Sequence, residues 1–225
     1  PAMEESVDTI LEMAEFKKSG RAQRLVVAGC MVERYRDEIR DKMPEVDAVV
    51  GTNEVEKITA ACEGVEVESN PLEPYLYHDA TPRVLSTPNH FAYVKIAEGC
   101  DRNCGFCAIP SFRGKQRSRS IESILDEVDR LEVQEVVLVA QDLAAYGRDQ
   151  GRGSRRIVPL IEQVAQRVSW VRLLYLYPSD LNDELIDTVC RSGVPYFDLS
   201  LQHVSRPLLR AMRRWGSGEQ FIDRI

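Results

Sequence analysis

No stretch of about 18 apolar residues runs through this sequence, so no membrane-spanning helix is expected. A secretory leader is missing too, and the chain opens on Pro1 rather than on methionine. There is no surplus of basic charge. The 29 Lys and Arg face 36 Asp and Glu, a net charge of −7, which argues against a strongly basic nucleic-acid surface. The acidity sits in the first part: residues 1–90 carry 18 acidic against 10 basic side chains, and residues 91–225 carry 18 against 19. Histidine is scarce, at three residues, and no second Cys pair or Cys/His pair stands at zinc-finger spacing. Six cysteines are present, half of them in one loop. In a chain this long without an export signal, that pattern favours a cytoplasmic metal-binding protein over a disulfide framework. The start at Pro1 and the end at Ile225, inside a helical pattern, read as an internal fragment of a longer protein.

The order of patterns predicts an α/β fold. Met3, Val7, Ile10, Leu11 and Ala14 recur at helical spacing over residues 2–18. Arg24–Ala28 and Asp47–Val50 read as short buried strands, residues 32–42 as a helix, and 53–62 as another, with Thr52 or Asn53 as its cap. From residue 63 the periodicity is lost. Pro71, Pro74, Pro82 and Pro88 mark 71–90 as a linker between a first domain, 1–70, and a second, 91–225. The second alternates strand-like runs (91–97, 135–140, 171–176 and 196–201) with helical ones at 120–132, 157–168, 181–191 and from about 206. Such βα units form a parallel sheet, open or closed as a barrel, with its chemistry at the carboxyl ends of the strands. Four units are too few to close a barrel, so a partial one is expected.

Directly after the first of these strands stands Cys100-Asp-Arg-Asn-Cys104-Gly-Phe-Cys107. Structural zinc takes four ligands, and only His90 and His203 offer themselves as a fourth. Three unliganded thiols on one loop would be an oxidation hazard. A 4Fe–4S cluster is held by thiolates, and three of them leave one iron open to a substrate or cofactor. Gly105 suits a loop folded tightly around a cluster, and Phe106 offers a flat apolar face.

C-x3-C-x2-C with an aromatic before the last Cys, after the first strand of a βα series, resembles the radical S-adenosylmethionine (SAM) superfamily. The resemblance implies that Cys100, Cys104 and Cys107 ligate the cluster and that Phe106 lies near the adenine of SAM. The open iron would bind SAM's amino and carboxylate groups, and one electron would release a 5′-deoxyadenosyl radical. The flanking segments are similar to those of methylthiotransferases. Residues 108–119 match the segment after the cluster. Ile109-Pro-Ser111 and Gln141-Asp-Leu-Ala-Ala-Tyr-Gly147 resemble the RimO-type branch, and Pro195–His203 resembles the family's fourth strand. Gln141, Ser200 and Gln202 are the implied SAM-side residues, with His203 beside them; Ser200, Gln202 and His203 are also candidate caps of the next helix. Ser179 or Asp180 reads as an N-cap. Arg113, Lys115, Arg117 and Arg119 form either a solvated basic loop or an anion contact.

The family also carries an amino-terminal α/β domain that holds a second 4Fe–4S cluster. The strand-end Gly29-Cys30 matches one of its ligands, which makes Cys30 a metal ligand by resemblance; the other two would precede Pro1. Cys62 and Cys190 belong to no motif, and Cys190 is expected in the core. The implied fold is a truncated methylthiotransferase domain followed by a partial radical SAM (β/α) barrel. The implied activity replaces C–H by C–SCH3 at the β-carbon of an aspartate in ribosomal small-subunit protein S-twelve. It would use two SAM molecules, sulfur delivered by the second cluster, and an unidentified electron donor. Nucleic acid would be met only through the ribosome. The alternatives are a MiaB-like tRNA adenosine methylthiotransferase and a non-catalytic iron–sulfur or zinc module.

Overall fold

The computed structural model describes residues 2–66, 75–151, 155–192 and 194–224. They divide into two compact units, Pro1–Tyr75 and Leu76–Ile225. The expected linker 71–90 lies partly outside the described residues, at 71–74, and from Leu76 onward it belongs to the second unit.

In the first unit, helix α1 (Ala2–Lys18) precedes strand β1 (Val26–Ala28), helix α2 (Cys30–Lys42), strand β2 (Ala48–Val50) and the short helix α3 (Ile58–Glu63). The strands pair in parallel, Val26 with Ala48 and Ala28 with Val50. Ile10, Val32, Ile39, Met43 and Val49 form the core between sheet and helices. The helical pattern of α1 is only partly used: Ile10 and Ala14 are buried, whereas Met3 and Leu11 are exposed. Neither Thr52 nor Asn53 caps the helix after β2. A turn of 3-10 helix at Val55–Lys57 comes first, with Glu54 at its N-cap position. The Glu54 carboxylate instead accepts the Gly51 N–H at 2.7 Å and the Arg36 guanidinium at 2.5 Å.

The second unit is built on three parallel strands: β3 (Phe91–Lys95), β6 (Glu135–Val139) and β7 (Trp170–Leu173), in the order β3-β6-β7. Register runs Phe91–Glu135–Trp170 across the sheet. Helices α5 (Ile121–Leu131), α6 (Ile157–Ala165) and α7 (Asp183–Arg191) cover one face. Their stripes interlock with Val94, Val136, Leu138, Val171 and Leu173 in one core. Ser120 caps α5 by accepting the Ser123 N–H, and Asn182 caps α7 by accepting the Leu185 N–H at 3.0 Å. Asp180 therefore caps nothing, contrary to expectation.

The expected strand 196–201 is reduced to one parallel bridge, Leu176 to Leu199. Pairing is confined to Leu176, because Tyr175 before it takes a left-handed φ of 66° and gives its N–H to the Asp198 side-chain carboxylate. A hairpin too small to leave a periodic signal also appears. Two-residue strands β4 (Ala97–Glu98) and β5 (Arg117–Ser118) pair antiparallel, with the five-residue helix α4 (Ile109–Arg113) between them. Helices α8 (Arg206–Ala211) and α9 (Gly218–Ile222) complete the unit.

Candidate functional site

The cysteine loop leaves the sheet between β4 and β5, which clamp its base. Inside the clamp Cys100 N–H donates to Gly114 O at 3.1 Å, and Gln116 N–H to the Asp101 carboxylate at 3.2 Å. At Gly99, φ is 81°, and a Cβ would stand 2.2 Å from the Lys115 carbonyl oxygen, so only glycine fits. Gly105 keeps a negative φ. Its N–H donates to Met212 O at 2.8 Å, and a Cβ there would meet the 211–212 backbone at ordinary contact distance, 3.4 Å or more, so no special turn or close approach requires glycine. The resembling segment 141–147 serves the same base. Buried Tyr146 donates to Arg119 O at 2.7 Å, and Gly147 N–H donates to Ser118 Oγ at 2.9 Å.

All three thiols are free. Cys100 is buried, and Cys104 and Cys107 are half-buried. Burial pushes the Cys100 thiol above its ordinary value, partly countered by the Arg102 N–H. Cations stand ready to stabilise thiolates. Arg214 Nη1 lies 3.4 Å from Cys104 Sγ, and its Nη2 reaches Ser200 Oγ at 3.2 Å and, closely, Ser200 O. Arg102, between the first two cysteines, is paired with Asp142 at 2.6 Å and closely with Asp180. Arg148 and Arg155 reach the other Asp180 oxygen at 2.6 and 3.1 Å. The Arg102 and Arg214 guanidinia lie over the Tyr177 ring, 3.9 and 4.1 Å from its centroid. Burial raises the Asp142 carboxyl, with Arg102 opposing.

Among the described residues no three His, Cys, Asp or Glu side chains are gathered as a single metal ion requires. A cubane differs, because its irons are separate and each takes its own thiolate. Three thiols spread along a clamped loop, with two guanidinia beside them, fit such an anionic thiolate cluster. Buried acceptors without hydrogen-bond partners, Asp142 Oδ1 and Gln141 Oε1, stand at the strand end beside it.

The remaining expected residues are scattered more widely. Phe106 is exposed. Gln141 lines a cavity of about 370 Å³ with Lys95, Ile109, Val139, Ala140 and Tyr175. Ser200 is tied to Cys104 through Arg214, as described. Gln202 is exposed with a φ of 69°, and His203 turns back to accept the Ser205 N–H at 2.8 Å. Cys30 begins α2 in the first unit, directly after Gly29. Cys190 lies on α7 but is exposed, not in the core, because the buried stripe of that helix is Leu185, Thr188 and Val189.

The basic segment is not a uniform anion platform. Arg119 is buried and locked on Glu127 at 2.6 Å, and Arg113 pairs with Glu98 at 2.8 Å. Sequence reasoning missed Lys95, Glu98, Asp180 and Arg214. A charged residue at the carboxyl end of a βα strand is the signal that marks Lys95; Glu98 lies in the short hairpin and Asp180 in the 3-10 turn after β7. Arg214 carries no such mark.

Residues 94–225 match the family model of the radical SAM superfamily, and residues 1–51 match that described as uncharacterized protein family UPF0004. The chain belongs to the radical SAM superfamily, whose membership implies SAM and a 4Fe–4S cluster. More specifically, it is 51% identical, over its whole length, to the ribosomal protein uS12 methylthiotransferase RimO of Solibacter usitatus, and covers 50% of that protein. It is 41% identical to the RimO of Koribacter versatilis, over all of this chain and 55% of the relative. For that of Heliobacterium modesticaldum the identity is 46%, over 95% of this chain and 49% of the relative. The chain thus spans about half the length of these curated relatives. The fold is like that of the radical SAM methyltransferase TsrM of Kitasatospora setae, with a TM-score of 0.50 and 15% identity over 87% of this chain and 53% of that one.

Proposed function

We propose that the chain is the catalytic core of a RimO-type methylthiotransferase acting in the cytoplasm on an aspartate of ribosomal protein uS12. The product would carry C–SCH3 in place of C–H at the β-carbon. The observation that carries this reading is the clamped three-thiol loop at the carboxyl end of β3, in a chain 51% identical to a protein of that name.

Cys100, Cys104 and Cys107 would hold the SAM-binding 4Fe–4S cluster. When bound, cluster and SAM supply one-electron chemistry that breaks a C–H bond no side-chain base can deprotonate. The residues of the chain do the rest. Arg214, 3.4 Å from Cys104 Sγ, would offset the negative charge of the bound cluster. The β4–β5 clamp sets the loop's height above the sheet. Phe106, Gln141, Ser200 and Gln202 would line the SAM side. Cys30 would be one ligand of a second 4Fe–4S cluster in a first domain spanning 1–70, joined by 71–90 to a core spanning 91–225. Nucleic acid enters only through the ribosome that carries the substrate.

The test uses the full-length gene product, reconstituted anaerobically with iron and sulfide. Incubation with SAM, reductant and either uS12 or tRNA should add a methylthio group to the protein alone, read by mass spectrometry. Modified tRNA with unmodified protein would refute the assignment. In the same assay Cys104→Ala should abolish 5′-deoxyadenosine formation; continued formation would remove Cys104 from the ligand set.

A further inference from the structure

Beside the cysteine loop stands a guanidinium without an acid. Arg102, Arg148 and Arg155 share Asp142 and Asp180. Arg214 has no carboxylate partner among the described residues. Its guanidinium meets Cys104 Sγ at 3.4 Å, Ser200 Oγ at 3.2 Å, Ser200 O closely, and the face of the Tyr177 ring. Its Nε is buried and makes no hydrogen bond. A half-buried cation served only by neutral acceptors and a thiol calls for an anion.

A strained stretch of backbone aims it at the loop. After α8, Arg213 N–H donates to Arg210 O at 3.0 Å and Arg214 N–H to Leu209 O at 2.8 Å. These are the two bonds of a helix cap that ordinarily has glycine at its left-handed position. Arg213 occupies that position with a φ of 54°, a conformation unfavourable for a residue with a Cβ. The turn is fixed on both sides of Arg214. Met212 O takes the Gly105 N–H of the cysteine loop at 2.8 Å, and Trp215 N–H donates to the Tyr177 hydroxyl at 3.2 Å. The Tyr177 ring, its centroid 4.1 Å away, backs the Arg214 guanidinium.

We infer that Arg214 sets how readily the cluster on Cys100, Cys104 and Cys107 accepts its electron, by donating from Nη1 to the Cys104 sulfur. This rests on the ligand assignment proposed above. One electron from the donor adds one negative charge to a cluster that its three thiolates already make anionic. A fixed guanidinium beside one of those sulfurs stabilises the reduced state more than the oxidised one, so the reduction potential rises. No bond in the protein forms or breaks in that step.

The test is a potentiometric titration of the full-length protein, reconstituted anaerobically with iron and sulfide and reduced by dithionite through mediators. Electron paramagnetic resonance follows the signal that added SAM alters, because a cluster with an open iron responds to SAM. In Arg214→Met the ratio of reduced to oxidised cluster at a fixed potential should fall about tenfold, a shift of about 59 mV to more negative values for one electron. Arg214→Lys keeps the charge without the planar fork and should recover part of that shift. Iron and acid-labile sulfide should match wild type in both variants. An unchanged potential in fully loaded Arg214→Met would overturn the inference. Weaker SAM binding at an unchanged potential would also overturn it, by assigning the guanidinium to SAM's own carboxylate. If Arg214→Met fails to load its cluster, wild type still decides. With nitrogen-15 in the arginine guanidinia, pulsed resonance of the reduced cluster should show a coupled nitrogen that vanishes in Arg214→Lys; no coupled nitrogen in wild type would overturn the inference. Loaded wild type without any SAM-altered signal would instead refute the ligand assignment. Methylthiolation of tRNA rather than uS12 would refute the proposed substrate and leave the potential difference standing.

Discussion

A guanidinium between the first two cysteines of the loop is held here by two acidic side chains that follow different strands. Arg102 meets Asp142 after β6 and Asp180 after β7, so its side chain ties the cysteine loop to the sheet. Replacing it by glutamine strands the buried Asp142 carboxylate, whose other oxygen already has no hydrogen-bond partner. Arg102 is partly exposed, so the loss is discounted from that of a fully buried pair to about 2 kcal/mol. Urea unfolding of Arg102→Gln should show it, and Asp142→Asn in the same chain should recover part of it by removing the orphaned charge. Additive losses in the double variant would mean that the two residues do not act as a pair. The sequence displayed Arg102 inside its motif, but not its partners, which stand 40 and 78 positions away. The basic segment misled in the opposite direction. Four cations in a row look like a surface, yet Arg119 is buried on Glu127.

At the scale of elements, the strongest patterns were the most legible. The runs at 91–97 and 135–140 are strands, and the amphipathic stretch after Ser120 is a helix capped by that serine, because burial on one face imposes a period. The β4–β5 clamp was invisible, since two residues a side make no period. The run 196–201 had strand composition but lacked a straight partner. The clamp depends on Gly99, which combines φ of 81° with a carbonyl 2.2 Å from any added Cβ. Gly99→Ala must therefore distort the start of the cysteine loop. Less than one cluster per chain is expected after reconstitution, measured as iron and acid-labile sulfide. Full occupancy would show that the clamp is not what sets the loop.

Over the whole molecule, net negative charge leaves acid as the stress to examine. In the first unit, Lys17 and the Leu25 N–H hold the Asp47 carboxyl below its ordinary value. A folded-state pKa below the unfolded one means the stabilisation is full above the unfolded value. It is lost as pH falls through the folded one. Between about pH 5 and pH 3 the melting temperature should drop, and Asp47→Asn should flatten that drop. An unchanged acid limb would assign the loss to other carboxylates, such as Glu98, which is shifted the same way.

By itself the sequence determined the two α/β units, the order of βα elements and the three-thiol motif, because these depend on local spacing and on side chains close along the chain. Only the tertiary structure decided which charges face the cavity and which are spent inside the scaffold. It withdrew Arg119 from the site, moved Asp180 from helix cap to arginine partner, and brought Arg214 beside Cys104 and Lys95 beside Gln141. The physical reason is that a charge is satisfied by whatever lies nearest in space. Around Cys100–Cys107 those neighbours come from segments far apart in the chain: after β6, after β7 and after α8.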